Sequence, residues 1–167
     1  MNSTQNKITL LSHIKQIRGI IFGIVIAGLI VAIITRDLPI PLLVRILGPI
    51  IIMLVLGLDA LILHVKYWLL NKNTALKISD ECLEININGN TIEINPDDIE
   101  IFELNLTRPF FDHGPVWGPG EDYLYAFIRL KSGEEFVITS LLLARLKFPE
   151  PFLDKSTKVQ RFRAWPK

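Results

Sequence analysis

Residues Gly19 to Thr35 read GIIFGIVIAGLIVAIIT, without a single charge. At 1.5 Å per residue a helix over this run is about 25 Å long, at the short end of what crosses a bilayer. A second apolar run, Leu42 to Leu63, follows, charged only at Arg45 and Asp59. The link Arg36-Asp37-Leu38-Pro39-Ile40-Pro41 holds two prolines, which stop a helix and favour a tight reversal. The expectation is an antiparallel transmembrane hairpin within residues 19–70, with spans over 19–35 and 42–63. A cleaved signal peptide fits less well. The first run exceeds an ordinary apolar region of about 7–15 residues, no small-x-small site follows it, and the second run comes at once.

Charge is distributed to match. Residues 1–70 hold six Lys/Arg and two acids, residues 71–154 hold seven and fifteen, and residues 155–167 hold five and none. An acidic body with basic ends suits a membrane surface better than nucleic acid. Lys7, Lys15 and Arg18 flank the first run, and Lys66, Lys72 and Lys77 follow the second. The hairpin tip has only Arg36 and Arg45, so the bias places both termini in the cytosol of a cell (inner or plasma) membrane. Tyr67 and Trp68 suit an interfacial aromatic belt. Residues 1–18 form an N-terminal segment, read either as an interfacial amphipathic helix or as an extension of the first span. Cys82 is the only cysteine, so no intrachain disulfide forms.

Within the spans, Gly19, Gly23 and Ala27 make two small-xxx-small steps on one face, which let helix backbones approach closely. They serve packing within the hairpin or homodimerisation. Asp59 lies about one turn below the cytosolic boundary. Arg18 on the neighbouring helix and Lys66 two turns on are its candidate counter-ions. An ion pair there fixes helix register; an unpaired carboxylate marks a proton site or a contact with a partner membrane protein. Arg45 snorkels toward the outer headgroups.

After Lys72 the apolar period changes to two, marking a cytosolic β domain over residues 71–154. Leu83, Ile85 and Ile87 alternate with polar residues up to Asn88-Gly89, a strong type I′ hairpin signal. That turn pairs Ile87 with Asn90, Ile85 with Ile92 and Leu83 with Ile94. Ile99 to Thr107 is a further strand. Tyr123–Lys131 and Glu134–Thr139 form a second hairpin around Gly133, pairing Ile128 with Phe136 and Arg129 with Glu135. Ser140 is read as the N-cap of a short helix that carries Leu141, Leu142, Ala144 and Leu146 and ends at Pro149 and Pro151. About six strands result, closed by that short C-terminal helix.

The Leu83–Ile94 hairpin, the turn Asn95-Pro96-Asp97-Asp98-Ile99 and Tyr123–Thr139 leading into Ser140–Phe148 carry a resemblance. Over roughly residues 75–148 their order resembles bacterial membrane-anchored pleckstrin-homology-like (PH-like) small proteins, in which helix hairpins precede a small β domain. The resemblance implies an α+β membrane protein with a small mainly-β PH-like domain, seven strands and a longer closing helix in that family.

Arg108 to Asp122 is the longest irregular stretch. It holds Asp112, His113 and Trp117, of which Asp112-His113 could serve as a metal or acid–base pair. One His and one acid are too few for a site, and no phosphate-binding Gly-loop, HExxH or CxxC motif is present. No cofactor and no catalytic residue is assigned. The basic tail, residues 155–167, mixes Lys158, Arg161, Arg163 and Trp165. It is read as a membrane-surface contact, as a solvated tail, or as a last strand through Val159, Arg161 and Arg163. The leading functional expectation is a non-enzymatic membrane-anchored interaction or scaffold module, with the lipid bilayer as its partner. The alternative is an accessory subunit of a transport or envelope complex; the third reading is a membrane-bound enzyme.

Overall fold

The computed structural model describes residues 4–36, 38, 41–79, 81–116, 120–161 and 164–166. A strand, β1 (Thr4–Lys7), comes first, followed by two long helices, α1 (Leu10–Ile34) and α2 (Leu42–Asn71). Then come β2 (Thr74–Ile78), β3 (Leu83–Ile87), β4 (Asn90–Ile94), β5 (Ile99–Thr107) and a single helical turn, α3 (Arg108–Phe111). β6 (Tyr125–Leu130), β7 (Glu135–Thr139), the short α4 (Glu150–Leu153) and β8 (Thr157–Arg161) complete the order.

The strands form two four-stranded sheets, β1-β2-β3-β4 and β7-β6-β5-β8. β1 pairs antiparallel with β2, Thr4 opposite Ile78 and Lys7 opposite Ala75. The helix hairpin is therefore an insertion between two neighbouring strands. The segment 1–18 divides accordingly: residues 4–7 belong to the first sheet, and from Leu10 onward the chain is α1, continuous with the apolar run. Thr9 caps α1 reciprocally. Its Oγ1 accepts from the Ser12 amide (3.3 Å), and Ser12 Oγ accepts from the Thr9 amide (3.2 Å).

Both hairpins fold in the expected register, Leu83 opposite Ile94 and Ile85 opposite Ile92 in one, Ile128 opposite Phe136 and Arg129 opposite Glu135 in the other. Asn88 and Gly89 both take positive φ (53° and 94°), as a type I′ turn requires. One core draws on both sheets, with Leu76, Leu83, Ile85 and Ile94 from the first and Phe102, Leu104, Ile128 and Ile138 from the second.

Three expectations change. The described strands number eight, not about six: the five named from the sequence are joined by β1, β2 and β8. No helix starts at Ser140. Residues 140–143 turn, a 3-10 turn spans Ala144–Leu146, and Pro149 caps the start of α4 instead of ending a helix. Leu141, Leu142, Leu143 and Leu146 are all buried; three consecutive buried side chains cannot share one helix face. Of the readings of the tail, the last strand is what forms over its described part: β8 runs parallel to β5, with Glu103 opposite Thr157 and Thr107 opposite Arg161. By length and composition α1 is apolar enough to cross a membrane, the one such helix among the described residues. The second expected span, 42–63, falls within α2, which does not meet the same measure, so the expected pair of spans is not shown.

Candidate functional site

The hairpin docks on the β domain by its open end. Ala60, Leu63, His64, Tyr67 and Asn71 recur at helical spacing along α2 and all are buried. Gln16 is the buried residue among the described side chains of α1. Between these anchoring turns and the hairpin tip, no described side chain of either helix is buried.

Asn71 completes an open sheet edge. Its Nδ2 donates to the Val137 carbonyl (2.8 Å), and its Oδ1 accepts from the Thr139 amide (2.9 Å) and the Thr139 hydroxyl (2.7 Å). The side-chain amide thus takes the place of a neighbouring strand on β7.

About two turns up the helix from Asn71, at His64, lies a chain of three rings. His13 Nδ1 is 2.8 Å from His64 Nε2, and His64 Nδ1 is 2.8 Å from Tyr123 Oη. Tyr67 stands edge-on to Tyr123 with centroids 5.2 Å apart, and its hydroxyl donates to the Ala164 carbonyl (2.6 Å). Burial pushes both phenols above their ordinary range, so both stay protonated. Burial, then the neighbouring His13, holds His64 below its ordinary pKa. Beside the rings, Gln16 Nε2 donates to the Asp122 carbonyl (2.5 Å) and to Ser140 Oγ (3.2 Å). Ser140 Oγ donates to the same carbonyl (3.0 Å) and accepts from the Leu124 amide (3.1 Å). Ser140 thus ties β6 to α1 and caps no helix. The Asp122 carboxyl is raised by burial, an effect that Arg18 opposes.

Such an arrangement, a chain of hydrogen-bonded rings, can hold the hairpin at a fixed angle to the β domain. Among the described residues no group of three His, Cys, Asp or Glu is placed to hold a metal.

The site has a pH signature. Above about pH 6.5 His64 is neutral both folded and unfolded and adds no pH dependence. Below it the unfolded chain takes up a proton first, because the folded pKa is depressed, and stability falls by at most about 1.4 kcal/mol per pH unit until the folded group titrates. Asp122 acts with the opposite sign at lower pH, since its raised pKa makes protonation favour the folded state. Thermal unfolding of the full chain in detergent is expected to show a slope below about pH 6.5 that His64→Gln flattens; an unchanged slope would refute the assignment.

The other sequence candidates are scattered. Asp59 is exposed on α2 and forms no ion pair among the described residues. Lys66, one of its expected counter-ions, instead donates to the Pro166 carbonyl (2.5 Å) and sits 5.8 Å over the Trp165 ring. Arg18, the other, faces Asp122. Gly19 faces Asp122, and a Cβ there would lie 3.5 Å from the carboxylate, an ordinary van der Waals contact. Gly23 is half-exposed on α1, and the side chain of Ala27 lies outside the described residues. Asp112 pairs with Arg108 at 3.4 Å on the surface, and His113 is exposed beside it. Trp117 and Arg163 lie outside the described residues. Lys158 is exposed on β8, whereas Arg161 Nε donates to Asn105 Oδ1 (2.9 Å) within the sheet. Sequence reading passed over Gln16, His64, Asn71 and Tyr123. For Gln16, His64 and Asn71 the signal is a polar residue on an otherwise apolar helix; Tyr123, just before β6, carries none.

A family model described as PH domain matches residues 4–150, taking in β1, both long helices and the strands through β7. No curated protein and no solved structure matches the chain.

Proposed function

This chain belongs to the PH domain family, and from that premise we propose that it is a non-enzymatic interaction module anchored in the cell (inner or plasma) membrane by the α1–α2 hairpin. Its PH domain stands at the cytosolic face, and both termini are cytosolic. One observation carries the reading: among the described side chains, those of the hairpin that are buried all lie at its open end. Beyond that end, Phe22, Leu29, Ile33, Leu42, Ile51 and Leu54 are more than half exposed. An apolar surface of this extent does not stay in water. From Ile20 to Ile34 the free part of α1 is about 22 Å long, and from Leu42 to Asp59 that of α2 is about 27 Å, close to a hydrocarbon core of about 30 Å. Lys15, Arg18, Lys66 and Lys72 cluster at the domain end, Arg36 and Arg45 at the tip, which supports the sidedness.

Single cysteines at Leu38 and Ser132 in a Cys82→Ser background test this. In intact cells a membrane-impermeant thiol reagent is expected to label Leu38→Cys and leave Ser132→Cys unlabelled. The reverse pattern would overturn the sidedness, and release of the chain by alkaline carbonate would overturn the anchor.

Asp59 supports a second reading, the accessory subunit. It is exposed on the free part of α2, and its candidate counter-ions are engaged elsewhere. A carboxylate so placed is costly in lipid unless a partner meets it. Asp59→Ala is then expected to abolish crosslinking to a co-purifying membrane protein while the β domain stays folded.

A further inference from the structure

Along α2 an apolar stripe follows a strict seven-residue repeat, abcdefg. Val44, Ile51, Leu58 and Val65 take position a, and Leu47, Leu54, Leu61 and Trp68 take position d, so that steps of three and four alternate over 25 residues. All eight are between 40% and 62% exposed, so neither α1 nor the β domain covers them. In the same phase the buried residues of α2 that dock on the β domain fall at c, f and g. The three charged residues of α2, Arg45, Asp59 and Lys66, all fall at b. The helix thus has a docked face, a charged line and an open apolar seam.

Lipid covers part of this seam, and the rest lies beyond its reach. Thirty residues make α2 about 45 Å long, about 15 Å more than a hydrocarbon core. With Asp59 at the cytosolic edge of the core, Leu61, Val65 and Trp68 stand on the cytosolic side with their apolar surface open. Lys72, at the next a position, holds its ammonium 5.6 Å from the centre of the Trp68 ring and closes the stripe.

We infer that the seam is covered by the α2 helix of a second copy of this chain, in a parallel two-stranded coiled coil. The inference rests on the anchored reading, which sets two copies side by side with like ends level. Three of the four a residues are β-branched and three of the four d residues are leucine, the combination that favours two parallel strands over three or four. The open surface of these eight side chains is of the order of the roughly 800 Å² per partner that a standard interface buries. Inside the hydrocarbon, lipid covers a leucine as well as a protein does, so only close packing is gained there. Past Asp59 the gain is removal of apolar surface from water. The charges at b stay outside the seam, so pairing buries none of them.

Cysteine scanning of the full chain in isolated membranes, in a Cys82→Ser background, tests this. Facing a or d positions come within reach of a disulfide, about 6 Å between Cα atoms, and b positions do not. With copper phenanthroline as oxidant, Leu58→Cys, Leu61→Cys and Val65→Cys are each expected to give a covalent dimer and Asp59→Cys none. With Leu58→Cys as the reporter, Leu61→Ala combined with Val65→Ala is expected to lower the dimer yield at least about tenfold. Equal yields at Asp59→Cys and at the seam positions, or no dimer at any of them, would overturn the seam. A cross-linked product of a mass other than twice the chain would overturn the second copy in favour of a different membrane protein. Seam cross-linking in a chain that alkaline carbonate releases would uphold the coiled coil and strike the anchored reading instead.

Discussion

Asn71→Ala is expected to destabilise the full chain by about 2–4 kcal/mol and to loosen the hairpin from the β domain. Three hydrogen bonds disappear at once, two of them buried. Each such bond is worth about 1 kcal/mol net, and a buried donor or acceptor left without a partner adds about 1–3 kcal/mol. The Thr139 amide and hydroxyl are the groups left stranded, since Thr139 has no exposure to water. Asn71→Asp should recover part of the loss. It keeps the acceptor for Thr139 but sets a carboxylate against the Val137 carbonyl. Chemical unfolding in detergent micelles measures the cost, and limited proteolysis between α2 and β2 reports the loosening. A cost below about 1 kcal/mol for Asn71→Ala would mean that water replaces the amide freely and that the edge of β7 is not sealed.

This clamp explains what was legible in the sequence and what was not. The β3–β4 and β6–β7 hairpins are local: turn chemistry at Asn88-Gly89 and Gly133 fixes the register, and alternation fixes the face, so both could be read residue by residue. β1 could not. Thr4-Gln5-Asn6-Lys7 has no apolar alternation, and its partner strand lies beyond both helices. The four leucines after Ser140 invited a helix by composition, but their burial on more than one side demands a turn. The apolar runs announced a hairpin; the polar residues along them mattered more for the site. Gln16, His64 and Asn71 are costly in lipid and poor in a helix core, so they had to meet something polar outside the helices. Asp59 invites the same argument, yet it is exposed and forms no ion pair among the described residues. Position along the helix, and not residue type, separates a docking residue from a candidate partner contact, and a sequence alone shows only the type.

Phe152→Ala is expected to cost about 3–5 kcal/mol, the range for deleting a fully buried aromatic ring. This residue and the segment after it lie beyond the matched family region, which ends at residue 150, and the basic composition of residues 155–167 suggests a loose tail. The packing argues otherwise. Phe152 is fully buried in the core shared by both sheets, on the single turn of α4. It positions the chain to enter β8, which covers the edge of β5 as a parallel strand. Beyond β8 the chain continues to the hairpin, where the Ala164 carbonyl accepts from Tyr67 and the Pro166 carbonyl from Lys66. The segment is therefore a strap that runs from the core, along the second sheet, to the base of α2. Lys158→Ala, at an exposed position on the same strap, should stay within about 0.5 kcal/mol of the parent. Equilibrium unfolding of both variants in detergent separates the two views. If Phe152→Ala is as mild as Lys158→Ala, the strap is an appendage. If the costs divide as expected, the last seventeen residues are part of what sets the PH domain's angle to its helices.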